Sequence, residues 1–120
     1  MAKVLVVDDA AFMRMMLKNI LSANGHEIVG EAEDGAQSLE KYAQLKPDLV
    51  TMDIVMPQLD GIEATREITR GHPGARIIMC TAVGQQAKVL EAMKAGAKGY
   101  IIKPFQAPKV LAEINKVLNS

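Results

Sequence analysis

Five short apolar runs alternate with longer segments of helical periodicity, and this alternation constrains the fold of the 120-residue chain more than any other feature. The runs are Val4–Val7, Glu27–Glu31, Leu49–Met52, Ile77–Cys80 and Tyr100–Ile102. Strands that alternate with helices build parallel sheets, because each connection must cross the sheet and its helix then covers one face. We therefore predict an α/β fold: a three-layer, doubly wound domain around a five-stranded parallel sheet. The more polar second run is predicted to be an edge strand.

The segments between the runs carry helix signals of different strength. The first has apolar side chains at the i, i+3, i+4, i+7, i+8 spacing, namely Met13, Met16, Leu17, Ile20 and Leu21. The next is predicted to begin after the N-cap Asp34, and its buried face is predicted to comprise Ala36, Leu39 and Ala43. A third helix is predicted from Ile62, Thr65 and Ile68. The eight methionines are predicted to fill the core, except Met56, which follows a strand in a loop.

The last two helical segments differ in how clearly they show an inner face. Residues Gln85–Ala95 have helical composition but only a weak apolar stripe. The final helix is predicted to begin near Pro108, a residue favoured in the first helical turn. Its buried stripe is predicted to be Val110, Leu111, Ile114, Val117 and Leu118.

Charge and cysteine content exclude several kinds of protein. With 14 basic and 14 acidic side chains the net charge is zero, so no overall field favours nucleic acid or an anionic membrane surface. The one cysteine, Cys80, cannot form an internal disulfide or a cysteine metal cluster, and we predict that it is buried. No apolar run is long enough for a membrane span, and no signal peptide is recognisable. We therefore expect one cytoplasmic domain over residues 1–120, without a nucleic-acid or membrane partner.

Charged and hydroxyl side chains directly follow four of the five predicted strands. Asp8 and Asp9 follow the first, Asp53 the third, Thr81 the fourth and Lys103 the fifth. Because the carboxyl ends of parallel strands meet at one edge of the sheet, we expect these side chains to converge. A single Asp after a strand would be explained as a helix cap, but the full set predicts a functional site.

Three converging carboxylates repel one another, and one lysine cannot neutralise them. Mg²⁺, a hard cation that binds carboxylates together with phosphate oxygens, would resolve this repulsion. We predict that Asp53 is a phosphoryl-accepting nucleophile, with Lys103 balancing the phosphoryl charge and Thr81 donating a hydrogen bond. Residue Val55, two positions after the nucleophile, offers no general base, and together with Val83 it is predicted to hinder attacking water. A long-lived acyl phosphate suits a switch better than a turnover enzyme.

Four motifs in this chain resemble the response-regulator receiver family. They are Val7-Asp8-Asp9, Met52–Pro57 with Asp60-Gly61, Cys80-Thr81-Ala82 and Tyr100–Phe105, and their order and spacing match over essentially the whole chain. The resemblance implies a flavodoxin-like sheet with strand order 2-1-3-4-5. It also implies that Asp53 accepts its phosphoryl group from a phosphohistidine on a sensor kinase.

The resemblance further implies roles for individual residues. Asp9 and Asp53 would bind Mg²⁺ through their side chains, Val55 through its backbone carbonyl, and Asp8 mainly through bound water. Thr81 and Tyr100 would form the switch pair, in which the hydroxyl moves to the phosphoryl group and the ring turns inward. A cis peptide bond is expected at Lys103–Pro104.

The local sequences Val7–Arg14 and Ala82–Gln86 are similar to those of the chemotaxis members of the family. This similarity implies the kinase CheA as phosphoryl donor and the flagellar motor switch protein FliM as target. The output face would comprise the fourth helix, fifth strand and fifth helix, with Tyr100, Lys109 and Lys116 as its candidate residues. A separate phosphatase and a monomeric state are expected.

Other functions remain open from the residues. A haloacid-dehalogenase-like phosphohydrolase needs an acid two residues after the nucleophile, where this chain has Val55. A flavodoxin needs a phosphate-cradling first loop, whereas Asp8-Asp9 is acidic. Within the family, a phosphorelay intermediate that passes phosphate to another histidine protein shares the same site chemistry, as does the receiver half of a transcription factor.

Overall fold

The structure, a computed structural model, describes residues 2–120 and has five strands and five helices in strict alternation. The strands are β1 (Lys3–Val7), β2 (Glu27–Ala32), β3 (Leu49–Asp53), β4 (Ile77–Ala82) and β5 (Gly99–Lys103). The helices are α1 (Ala11–Ala23), α2 (Gly35–Leu45), α3 (Gly61–Gly71), α4 (Gln86–Ala95) and α5 (Ala107–Leu118). No helix within residues 2–120 is both long enough and apolar enough to cross a bilayer.

All strand pairs are parallel, and the sheet order is β2-β1-β3-β4-β5. This confirms the predicted flavodoxin-like order and the edge position of β2. Alternate side chains of β1 point to opposite faces of the sheet and belong to two separate cores. Val4 and Val6 pack with α1 and α5. Leu5 and Val7 pack with α2, α3 and α4. Two helical layers therefore enclose the sheet, as predicted. All five residues of the central strand β3 are buried.

The helix termini follow the capping residues in the sequence. Asp34 accepts a hydrogen bond from the Gln37 backbone N–H at 2.8 Å, so the predicted N-cap of α2 is confirmed. Asp60 caps α3 in the same way, through the Glu63 N–H at 2.9 Å.

The Lys103–Pro104 peptide bond is cis, as expected. Cys80 is 2% exposed, which confirms its predicted burial.

The predicted inner face of α2 was wrong at two positions. Ala36 and Ala43 are exposed, and the buried side is formed by Gly35, Ser38 and Tyr42. A hydrophobic pattern could not reveal this face, because its smallest members are a glycine and a serine. The Ser38 hydroxyl donates to the Gly35 carbonyl at 2.6 Å, which satisfies it inside the core.

The methionine prediction was also partly wrong. Met56 is 7% exposed and packs into the core between the sheet and α2–α4, although it lies in the loop after β3. Met15 and Met93 are 50% and 39% exposed, on the outer sides of α1 and α4. Periodicity cannot assign a loop residue to the core, and a thioether is tolerated on either side of a helix.

A β-bulge in β2 changes which side chains face α1. Val4 pairs with Ile28, but Leu5 pairs with Gly30, so Val29 is the extra residue. The shift pairs Val6 with Glu31 and thereby directs Glu31 to the side of the sheet that carries α1 and α5. Without the extra residue Val29, the Glu31 side chain would lie on the opposite face of the sheet.

Candidate functional site

The acidic side chains that follow β1 and end β3 meet at the carboxyl edge of the sheet. One carboxylate oxygen each of Asp8, Asp9 and Asp53 can be chosen so that all three lie within 4.8 Å of one another. Asp8 and Asp53 are buried, at 4% and 9% exposure, while Asp9 is exposed. The predicted convergence of the three carboxylates is therefore present in the fold.

Lys103 reaches this cluster from the end of β5. Its Nζ lies 2.9 Å from Asp8 Oδ2, with which it forms a hydrogen bond, and 3.3 Å from Asp53 Oδ1. The lysine side chain is 21% exposed, so its charge is only partly screened by water. One ammonium group faces three carboxylates, and the site keeps an excess of negative charge.

The electrostatics of Asp53 follow from burial and from its neighbours. The pKa of Asp53 is raised to about 6, mainly by burial and further by the Asp8 carboxylate. The nearby Lys103 charge opposes this increase. Burial alone would lower the pKa of Lys103, but its hydrogen bond to Asp8 and the Asp53 charge outweigh that effect and raise the pKa. Burial therefore dominates at Asp53, whereas the neighbouring carboxylates dominate at Lys103.

The donor set fits a divalent cation with a preference for oxygen. Three carboxylates close enough to share one ion are typical ligands of Mg²⁺, and their mutual repulsion favours its binding. Val55 lies in the loop two residues beyond Asp53 with its side chain 54% exposed, and the ligand role of its backbone carbonyl stays a prediction. The ligand roles of Asp8, Asp9 and Asp53 also remain predictions.

Sequence reasoning missed Arg14, which holds the backbone of the acidic cluster. Its Nη1 donates to the Asp8 carbonyl oxygen at 2.7 Å, and its Nε donates to Glu31 Oε1 at 2.9 Å. Lys18 donates to the other Glu31 oxygen at 2.7 Å, and these hydrogen bonds lower the pKa of Glu31 despite its partial burial. A signal was available, since Arg14 interrupts the apolar face of α1 one turn before Leu17.

Thr81, at the end of β4, is 3% exposed. Its hydroxyl lies 3.0 Å from Gln85 Oε1 and 3.2 Å from the Ala82 carbonyl oxygen, the two acceptors to which it can donate. Sequence reasoning treated Gln85 only as part of a weakly patterned helix. In the fold it is the residue before α4, and its side chain reaches back to β4.

Tyr100 belongs to the edge strand β5 and its side chain is half exposed. Its backbone N–H, which faces away from the neighbouring strand, donates to Glu113 Oε2 at 3.2 Å. A groove of about 460 Å³ extends from Thr81 to Tyr100 along α4. The apolar side chains lining it are Val83, Val89, Leu90, Met93 and Ile102.

A second groove, of about 520 Å³, lies between β5 and α5. Tyr100, Lys109 and Lys116 all line it, so the fold brings the three predicted partner-face residues to one concave surface. Both lysines are exposed, and Lys116 Nζ lies 4.0 Å from Glu113 Oε1. Neither lysine contacts the carboxylate cluster.

Comparison with known proteins indicates one protein family. The response regulator receiver domain family matches residues 4–115. The chemotaxis protein CheY of Bacillus subtilis (strain 168) is 62% identical over 117 residues, which are 98% of each chain. CheY of Thermotoga maritima is 58% identical over 115 residues, 96% of each chain. The structure of a CheX–CheY–BeF₃–Mg²⁺ complex from Borrelia burgdorferi is similar with a TM-score of 0.92 at 37% identity, over 96% of this chain and 87% of that one.

These matches agree with the geometry of the site. The family match covers both the three-carboxylate cluster and Lys103, and the Borrelia complex contains BeF₃ and Mg²⁺. The chain belongs to the response regulator receiver domain family and is a CheY-like receiver of two-component signalling.

Proposed function

We propose that this chain is a chemotaxis switch that accepts a phosphoryl group on Asp53 from the histidine kinase CheA. In its phosphorylated form it binds the flagellar motor switch protein FliM and so controls rotation. The observation that carries the proposal is a buried Asp53 carboxylate grouped with Asp8 and Asp9 within 4.8 Å, with the Lys103 ammonium 3.3 Å away. Relatives of nearly the same length that are named chemotaxis proteins support the pathway.

Phosphoryl transfer to Asp53 needs a nucleophile, charge balance and little else. An Asp53 oxygen forms the new P–O bond while the P–N bond to the donor imidazole breaks. Bound Mg²⁺, held by Asp9, Asp53 and the Val55 carbonyl with Asp8 acting through water, would neutralise carboxylate charge and admit the anionic phosphoryl group. The Lys103 ammonium lies 3.3 Å from the Asp53 carboxylate, close enough to contact the phosphoryl oxygens once the group is transferred.

The protein acts as a phosphoacceptor and not as a turnover enzyme in this proposal. Val55 follows Asp53 by two residues and Val83 follows Thr81 by two; both are exposed, and neither side chain offers attacking water a polar partner. Self-dephosphorylation is therefore slow, and a separate phosphatase ends the signal. The cytoplasmic location expected from the sequence stays a prediction.

The output surface consists of α4, β5 and α5. Phosphorylation draws the Thr81 hydroxyl towards the phosphoryl group, and the half-exposed Tyr100 ring turns inward into the space that opens. Both grooves described above include Tyr100, so this one movement changes the shape of each. Lys109 and Lys116 then offer positive charge to the partner beside an apolar groove.

The test is binding of a FliM N-terminal peptide in Mg²⁺, with and without beryllofluoride as a phosphoryl mimic. We expect tighter binding only for the activated wild-type protein, and no change for Asp53→Asn. Peptide binding that ignores beryllofluoride would contradict the switch. If beryllofluoride binds but the peptide does not, the receiver function stands and the output shifts to the phosphorelay alternative.

A further inference from the structure

The Thr81 hydroxyl is engaged in the unphosphorylated protein by a side chain outside the acidic cluster. Gln85 Oε1 lies 3.0 Å from Thr81 Oγ1 and also accepts the Ala82 backbone N–H at 3.1 Å. One amide oxygen therefore joins the end of β4 at two adjacent residues. The contact is partly buried, so water competes with it only weakly.

This contact competes directly with switching. A hydroxyl group has one proton, so Thr81 cannot donate fully to Gln85 and to a phosphoryl oxygen at the same time. In this structure the proton has two acceptors, Gln85 Oε1 at 3.0 Å and the Ala82 carbonyl oxygen at 3.2 Å. When Thr81 turns to the phosphoryl group, its contact with Gln85 must break. Gln85 Oε1 then keeps only the Ala82 N–H. The equilibrium between the two positions of Thr81 therefore includes the free energy of the Gln85 contact.

Gln85 also connects this choice to α4. It is the N-cap residue of the helix, yet its side chain makes no cap hydrogen bond. Its amide oxygen instead accepts a hydrogen bond from the Ala82 N–H at the end of β4. The first-turn N–H groups of a helix lack partners within the helix, so a released amide oxygen has new donors nearby. Gln85 and Gln86 line the same apolar groove as Val89 and Leu90. Release of Thr81 is thus linked to the start of the groove-lining helix.

We infer that Gln85 is a positioning residue that holds Thr81 in its unphosphorylated orientation and transmits its release to the first turn of α4. This inference rests on the proposed function, because it concerns the hydroxyl that the phosphoryl group recruits. It assigns to Gln85 a restraint that opposes activation.

The test compares Gln85→Met with Gln86→Met. Both substitutions keep the length of the side chain and remove its amide, but the Gln86 side chain is exposed and makes no hydrogen bond within residues 2–120. Beryllofluoride affinity is measured in Mg²⁺ by calorimetry or fluorine NMR. Loss of one neutral hydrogen bond corresponds to about a 2- to 10-fold change in affinity. We expect Gln85→Met to bind beryllofluoride more tightly by this factor, and Gln86→Met to match the wild type.

The same pair of measurements in a Thr81→Ala background separates the contact from a general effect. Without the hydroxyl, Gln85→Met should leave beryllofluoride affinity unchanged. In the Mg²⁺-free protein, the Ala82 amide should exchange faster in Gln85→Met than in the wild type, because its acceptor is gone.

The outcomes distinguish this inference from the proposed function. If the wild type binds beryllofluoride and Gln85→Met binds it equally well, the restraint is disproved and the receiver function is untouched. An increase of the same size in the Thr81→Ala background would also disprove it. A wild type that binds no beryllofluoride would overturn the proposed function and the restraint together.

Discussion

At the scale of single residues, two causes raise the pKa of the Asp53 carboxyl. Its side chain is 13% exposed, so an anion there loses much of its hydration, and the Asp8 carboxylate stands nearby. Together these raise its pKa from 3.8 to about 6, against the attraction of Lys103. The folded protein therefore binds this proton more tightly than the unfolded chain does. The resulting destabilisation is absent below pH 4, develops between pH 4 and 6, and is complete above pH 6.

We predict that Asp53→Asn stabilises the Mg²⁺-free protein by about 1 to 3 kcal/mol above pH 7, and by almost nothing near pH 4. The amide keeps the shape of the carboxyl but carries no charge. Urea unfolding in a chelator from pH 4 to 8 measures the difference. Glu40→Gln, at an exposed position, is the control and should show no such trend. A stabilisation that does not depend on pH would contradict the electrostatic explanation.

Val55 governs a second property at this scale, the access of water to the acyl phosphate. Its side chain is 54% exposed beside the phosphoacceptor loop and cannot orient a water molecule. We predict that Val55→Asn shortens the acyl-phosphate lifetime by roughly tenfold, since a polar group that positions water promotes hydrolysis. Loss of phosphate from the labelled protein gives the lifetime. Leu90→Asn, another exposed apolar position, should leave the lifetime unchanged, and an unaltered lifetime in Val55→Asn would refute this view.

At the scale of secondary-structure elements, α3 is held against the end of β3 by its first residue. The Gly61 N–H donates to the Ile54 carbonyl at 2.8 Å, and a Cβ at Gly61 would lie 1.9 Å from the Asp53 carbonyl oxygen. Only glycine permits this approach without movement of backbone. Gly71, at the other end of the same helix, has open space around its Cα. The close approach therefore requires glycine at position 61, whereas nothing around Gly71 does.

We predict that Gly61→Ala destabilises the protein by about 1 to 3 kcal/mol, because the helix must move away from the phosphoacceptor strand. Gly71→Ala should be neutral or stabilise by up to about 1 kcal/mol, because alanine loses less entropy than glycine in a helix. Urea unfolding of both variants provides the comparison. Equal effects of the two substitutions would show that the approach to Asp53 is not the cause.

At the scale of the whole molecule, two neighbouring strands connect the acidic cluster to both grooves. Thr81 pairs with Ile102 and Ala82 pairs with Lys103, so the site residues of β4 and β5 lie side by side. A complete change from about 1:99 to 99:1 requires roughly 5.5 kcal/mol. Charge-assisted contacts of Lys103 and Thr81 with the phosphoryl group supply about 1.5 to 3 kcal/mol each. They replace the Lys103 contacts with Asp8 and Asp53 and the Thr81 contact with Gln85, which reduces the net gain. We therefore expect phosphorylation to shift the equilibrium partly and partner binding to complete the change.

We predict that Thr81→Ala still accepts a phosphoryl group on Asp53 but loses most of the phosphate-dependent gain in partner affinity, about tenfold. Thr81→Ser keeps the hydroxyl and should restore much of it. Peptide titrations with and without beryllofluoride measure the gain for each variant. Full retention of the gain in Thr81→Ala would break the proposed link between site and output face.

The sequence by itself determined the parts of this protein that depend on local order. Short apolar runs and helical patterns predicted the alternation of strands and helices, and Asp34 predicted the start of α2. The convergence of Asp8, Asp53 and Lys103 also followed from the sequence, because each directly ends or follows a strand and parallel strands end at one edge. The strand order, in contrast, came from the family resemblance and not from periodicity.

The tertiary structure alone decided the contacts between elements that lie outside this convergence of strand ends. The bulge in β2 turns Glu31 towards Arg14, and no pattern within one strand reports such a shift in register. Whether Gln85 caps its helix or reaches back to Thr81 depends on a rotamer chosen by packing. Local sequence specifies elements because their hydrogen bonds are short-range, whereas contacts between elements depend on register, packing and rotamers that only the assembled fold sets.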